Sequence, residues 1–104
     1  HVDVRVKELT RQRMLMMPPA ALHADFLACD SFNVMDDLHR ISAQALILCG
    51  SEDVMTPPKY SRSMHELIQG SRFELIADAG HMLMLEKPAE VERLVRGFVD
   101  DMVA

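Results

Sequence analysis

Two short strand-like runs with a helical pattern between them constrain this chain more than any other feature. Residues 45–49 (Ala-Leu-Ile-Leu-Cys) end at Gly50, and residues 72–77 (Arg-Phe-Glu-Leu-Ile-Ala) form the second run. An apolar run without alternation suits a strand covered on both faces, as in a parallel sheet. Between the runs, Thr56 stands where a helix cap belongs, and Pro57 and Pro58 fall in the first turn, where a missing N–H costs nothing. Tyr60, Met64, Leu67 and Ile68 follow at helical spacing, and Gly70 is a stop signal. A loop from Asp78 to Lys87 leads to Pro88, which starts a last helix with Val91, Leu94, Val95, Phe98, Val99 and Met102 on one stripe. Strand–helix–strand–helix predicts two parallel strands joined by a right-handed crossover.

The first half is helical and plainer. Residues 4–17 read as one helix cut by Pro18-Pro19, residues 19–30 as a second, and 31–44 as a polar approach to the first strand. The chain therefore divides into a helical segment, 1–44, and an α/β segment, 45–104. Two parallel strands do not stand alone as a sheet, because parallel sheets need cover and are larger. The expected partner is either a missing N-terminal part carrying more strands or a second copy of the chain joined at the open edge. The first residue is His rather than Met, in keeping with a start further upstream.

Composition narrows the function classes. A net charge of −5 argues against nucleic acid or an anionic membrane as a partner. The locally basic stretch 1–13 reads as a solvated helix face, and no apolar run is long enough to span a bilayer. Two cysteines, Cys29 and Cys49, make no disulfide framework; both read as reduced and structural, which favours the cytoplasm. The nine methionines, including Met14, Met16 and Met17, read as core packing. No close His/Cys pattern calls for zinc, so neither metal nor cofactor is expected.

In open parallel sheets, functional groups gather in loops at the carboxyl ends of the strands. The loop 50–56, Gly-Ser-Glu-Asp-Val-Met-Thr, offers Asp53, and the loop opening Asp-Ala-Gly-His-Met at 78–82 offers His81. Neighbouring parallel strands put these two on one rim of the sheet. A histidine takes a proton from a hydroxyl near neutral pH and returns it to a leaving group, and a carboxylate on its other nitrogen fixes the tautomer. Gly50 and Gly80 suit tight turns off a strand. Glu52 is the competing acid beside Asp53, and Asp78 reads as a turn residue. His23, His39 and His65 read as surface residues. Met82 and Met84 either line an acyl pocket or pack under the loop, and Glu86 and Pro88 shape the start of the last helix.

Residues 46–58, Leu-Ile-Leu-Cys-Gly-Ser-Glu-Asp-Val-Met-Thr-Pro-Pro, resemble the seventh strand and acid loop of the α/β-hydrolase family. Residues 75–88, Leu-Ile-Ala-Asp-Ala-Gly-His-Met-Leu-Met-Leu-Glu-Lys-Pro, resemble its eighth strand and histidine loop, and residues 4–44 resemble the end of its cap and the returning helix. The family order is nucleophile, acid, histidine. The resemblance implies Asp53 as acid, in preference to Glu52, and His81 as base. It implies the C-terminal βαβα portion of an α/β-hydrolase sheet, and an esterase-like parent acting on a small-molecule substrate. The family's G-x-S-x-G elbow is not found in these 104 residues, since Ser51, Ser61, Ser63 and Ser71 lack the flanking glycines. The nucleophile, whether Ser, Asp or Cys, is then expected outside the chain, which alone would be inactive. A non-catalytic oligomerising module and half of a split hydrolase are the alternatives.

Overall fold

Strand β1 (Leu46–Gly50) and strand β2 (Arg72–Ile76) pair in parallel, in register from Leu46 opposite Arg72 to Gly50 opposite Ile76. The computed structural model describes residues 3–103. Within them the chain forms two compact units, Asp3–Val34 and a second beginning at Met35.

The second unit contains both strands. It begins with a 3-10 turn, Met35–Arg40, inside the stretch read as a polar approach; the turn forms because Leu38 is drawn into the core. Helix α3 (Pro58–Leu67) connects β1 to β2, and a short helix α4 (Leu83–Glu86) and the long α5 (Pro88–Val103) follow. Side chains alternate across a strand, so each strand feeds two cores. On one face Ile47 packs with Leu38 and Ile68, flanked by Met64 of α3 and by Phe73. On the other, Ile76, Ala79 and Leu83 are buried together, flanked by Leu48 and by Val91 and Leu94 of α5. The helices therefore cover opposite faces, which is the cover that a parallel pair requires. Arg72 ties the start of β2 to the end of α5 through a 2.7 Å ion pair with Asp101 and lies over the Phe98 ring.

The strands end together, so their following loops emerge side by side and are stitched to each other. Ser51 N–H donates to the Ile76 carbonyl at 2.9 Å and Glu52 N–H to the Ala79 carbonyl at 2.8 Å, while Asp78 N–H donates to Ser51 Oγ at 3.1 Å. Gly50 lies so close beneath the second loop that a Cβ there would collide with the Ala79 and Gly80 carbonyl oxygens. Asp78 turns the chain with a positive φ of 56°, a conformation that Asp tolerates better than most residues.

Several expected features moved. Thr56 does not cap α3: Pro57, extended with ψ 156°, takes the position before the helix, and no side chain caps it. The helix also stops before Gly70, because Ile68 turns extended to enter the core. The loop 78–87 includes α4, closed by hydrogen bonds from Leu85 and Glu86 back to the Met82 carbonyl.

The first unit holds α1 (Val4–Leu15), capped by Asp3, whose carboxylate accepts from Arg5 N–H at 2.7 Å, and α2 (Pro19–Ser31) after the Pro18-Pro19 break. Neither helix has a buried residue, so Met14, Met16 and Met17 are exposed rather than packed in a core. Cys29 is likewise exposed on α2 rather than structural, whereas Cys49 is buried; both thiols are free. Among the described residues no helix is long and apolar enough to cross a membrane.

Candidate functional site

Asp53 follows β1 by three residues and is 7% exposed. Burying a carboxylate is costly unless its oxygens are occupied, and here both are. Oδ1 accepts the Met55 and Thr56 backbone N–H groups at 3.0 and 2.9 Å; Oδ2 accepts the Thr56 hydroxyl at 3.0 Å and the His81 imidazole at 3.0 Å. Burial alone would push this carboxyl up. The Thr56 backbone bond, the bonds from His81 and the Thr56 hydroxyl, and the attraction of His81 together outweigh it and hold Asp53 below the usual carboxylate value.

His81 stands on the second loop, half-exposed, with Nδ1 on Asp53 Oδ2 and 3.2 Å from Thr56 Oγ1. An ionised carboxylate only accepts, so Nδ1 carries the proton in this bond and Nε2 of the neutral ring keeps its lone pair. None of the described residues hydrogen-bonds Nε2. The acid–histidine bond thus fixes a tautomer whose free nitrogen can accept a proton from a third group.

The Glu86 carboxylate reaches back from the end of α4 to the loop. It accepts Gly80 N–H at 2.8 Å and Met82 N–H at 3.1 Å, from the residues on either side of His81. Beside the imidazole lies an open recess of about 240 Å³, bordered by Val54, Met55 and Met82 together with Glu52 and Glu86. Val54 and Met55 are largely exposed at its mouth.

The structure brings Asp53 and His81 together across the two loops and leaves Glu52, an exposed residue, outside the pair. His23, His39 and His65 are exposed. His65 is engaged locally, 2.8 Å from Ser71 Oγ and stacked on Phe73. The hydroxyls of Ser51, Ser63 and Ser71 are bound to Asp78 N–H, the Lys59 carbonyl and the His65 carbonyl, and His81 bonds Asp53 and Thr56 instead. Among the described residues no group of three or more His, Cys, Asp or Glu side chains is placed to hold a metal ion.

Two contributors escaped the sequence reading. Thr56 had a usable signal, because Asp followed three residues later by Thr is a local side-chain-to-backbone motif. Glu86 had none, since its role depends on where a later helix returns the carboxylate.

A profile of the alpha/beta hydrolase family matches residues 4–94. A proline iminopeptidase, PfmaB, of Pestalotiopsis fici is 30% identical over 69 residues, 66% of this chain and 25% of its own length. A pimeloyl-[acyl-carrier protein] methyl ester esterase of Neisseria meningitidis is 28% identical over 82 residues, 79% of this chain and 26% of its own. Among solved structures, a CIB-like hydrolase from Thermoplasma acidophilum superposes with a TM-score of 0.64 at 31% identity, covering 65% of this chain and 33% of that one. The chain spans about a quarter of the length of these curated relatives.

Proposed function

This chain belongs to the alpha/beta hydrolase family, and on that premise we propose that it supplies the acid, Asp53, and the base, His81, of a nucleophile–His–Asp triad. The observation that carries this reading is the 3.0 Å bond from His81 Nδ1 to a buried carboxylate, with Nε2 left to accept a proton. The nucleophile comes from an elbow outside these 104 residues. In the reaction, Nε2 takes the proton of the nucleophile's hydroxyl as its oxygen bonds to a carbonyl carbon. The imidazolium, stabilised by ionised Asp53, then gives that proton to the departing alkoxide, and water repeats the cycle on the acyl intermediate.

The substrate is a small carboxylic ester or a related acyl compound. The apolar border of the recess, Val54, Met55 and Met82, and the esterase among the relatives support this choice. Residues 1–44 then belong to the end of the cap and the helix that returns to the core, and the 104 residues to the C-terminal part of the enzyme. The test joins this chain to an N-terminal hydrolase core bearing an elbow and measures turnover of short-chain aryl esters. His81→Ala should lower kcat by on the order of 10⁶ and Asp53→Asn by about 10⁴. Fast, His81-dependent turnover by the 104 residues alone would contradict an external nucleophile.

One feature supports a second reading. Among the described residues β1 and β2 each have only one strand neighbour, so both outer edges of the sheet are open to another strand. A non-catalytic module would use these edges to self-associate, and a split hydrolase would use them to recruit a second polypeptide. Sedimentation of the pure chain separates the cases: a stable oligomer without esterase activity after joining favours the module.

A further inference from the structure

We propose that Glu86 is the positioning residue of the histidine loop, holding the N–H groups of Gly80 and Met82, the residues before and after His81, so that the ring meets Asp53. The inference rests on the assignment of Asp53 and His81 as acid and base. The geometry behind it is bidentate: Oε1 takes Gly80 N–H at 2.8 Å and Oε2 takes Met82 N–H at 3.1 Å. Hydrogen bonds to a charged acceptor are about twice as strong as neutral ones. Two of them from one carboxylate hold the neighbours on both sides of the residue that carries the base.

The loop is built to admit this carboxylate. Gly80 is buried, and a Cβ on it would lie 3.1 Å from Glu86 Oε2 and 3.4 Å from Oε1, so glycine leaves the side chain room to approach. Met82, the residue before α4, has no side chain capping that helix. Glu86 instead reaches back to the N–H of Met82 itself, while its backbone N–H donates to the Met82 carbonyl at 3.0 Å. A four-residue helix is too short to hold its shape by propagation alone, so the clamp and α4 stabilise each other. A misplacement of about 1 Å in a reacting group can cost roughly a hundredfold in rate, which is why the anchoring of this loop bears on the chemistry.

The experiment uses the chain itself and reads His81 directly. Nitrogen-resolved imidazole spectra and amide hydrogen exchange are recorded for the unaltered chain and for E86A, E86Q and D53N. In E86A, exchange at Gly80 and Met82 should accelerate on the order of tenfold or more, and the His81 Nδ1–H signal of the Asp53 bond should be lost. E86Q keeps the shape but offers one acceptor oxygen, so one N–H meets an amide donor. It should therefore displace the His81 resonances even if E86A fails to fold. Gly80 and Met82 amides that loosen while the His81 ring stays unchanged would reduce Glu86 to a helix cap and overturn the proposal, as would an unchanged loop in either variant. D53N separates the two levels. If it leaves the His81 ring unaltered, the acid–base pair itself fails; if D53N moves the ring and the Glu86 variants do not, only the positioning role fails.

Discussion

The Thr56 hydroxyl donates to Asp53 Oδ2 at 3.0 Å, the same oxygen that receives His81 at the same distance. Thr56 also gives its backbone N–H to Oδ1, so one residue contacts both oxygens of the acid. Replacing Thr56 by Val keeps the shape and the backbone bond but removes the hydroxyl. The expected cost is about 1 kcal/mol of stability, with the Asp53 carboxyl titrating at a higher pH than in the unaltered chain. Thr56→Ser should restore both. Urea unfolding and carboxyl-carbon NMR titration measure the two effects, and a Val variant identical to the parent in both would remove Thr56 from the site.

Acid sensitivity follows from the direction in which Asp53 is shifted. Its folded carboxyl titrates below the ordinary value of 3.8, because the hydrogen bonds to its oxygens overcome burial. A group depressed in the folded state adds stability above its unfolded value, about 3.9, and that contribution disappears as pH falls through the folded value. The urea midpoint should therefore drop as pH is lowered below about 4. Asp3 and Glu8 are also lowered, by Arg5 and Arg11 in first place, but they lie at the cap and on the surface of α1 and stay present in Asp53→Asn. The difference between the two acid profiles isolates Asp53: the asparagine variant should show the shallower decline, and parallel profiles would contradict the shift.

Gly50 offers a test of how the two loops are held against each other. A Cβ there meets backbone oxygens of Ala79 and Gly80, which cannot swing aside as a side-chain tip can. Gly50→Ala should cost about 1–3 kcal/mol. It should also lengthen the Glu52–Ala79 hydrogen bond, 2.8 Å in the structure, and with it the approach of His81 to Asp53. The readouts are thermal unfolding and hydrogen exchange at the Glu52 amide. Full stability with unchanged exchange would mean that the loops are not in contact there.

The sequence carried the α/β layout because chain topology leaves few choices. Apolar runs before Gly50 and Asp78, with helical spacing between them, made a parallel pair, and a parallel pair puts its two exit loops on one rim. The juxtaposition of Asp53 and His81 was legible for that reason. Thr56 carried a signal in its spacing from Asp53, but Thr-Pro-Pro fits a helix cap as well as it fits a carboxylate partner, and the extended ψ of Pro57 decides. The clamp by Glu86 was hidden because it joins a side chain to peptide groups whose directions no pattern records. Met14, Met16 and Met17 misled for a third reason: a side chain that suits core packing does not by itself reveal whether anything lies against it.

Neighbouring positions on β2 separate core from surface. Ile76 is fully buried, with Ala79, Leu83 and Leu48 around it, whereas Leu75 points to the other face and remains 42% exposed. Truncating Ile76 to Ala removes apolar contact and leaves a cavity, with an expected loss of about 2–5 kcal/mol. The same change at Leu75 should fall within about 0.5 kcal/mol, because water already covers much of that side chain. The contrast depends on alternation along the strand rather than on composition, since both residues are large aliphatics one position apart. Urea midpoints of the two variants at equal protein concentration measure it. Comparable losses at both sites would mean that Leu75 is covered in solution, as it would be if a further chain packed on that face.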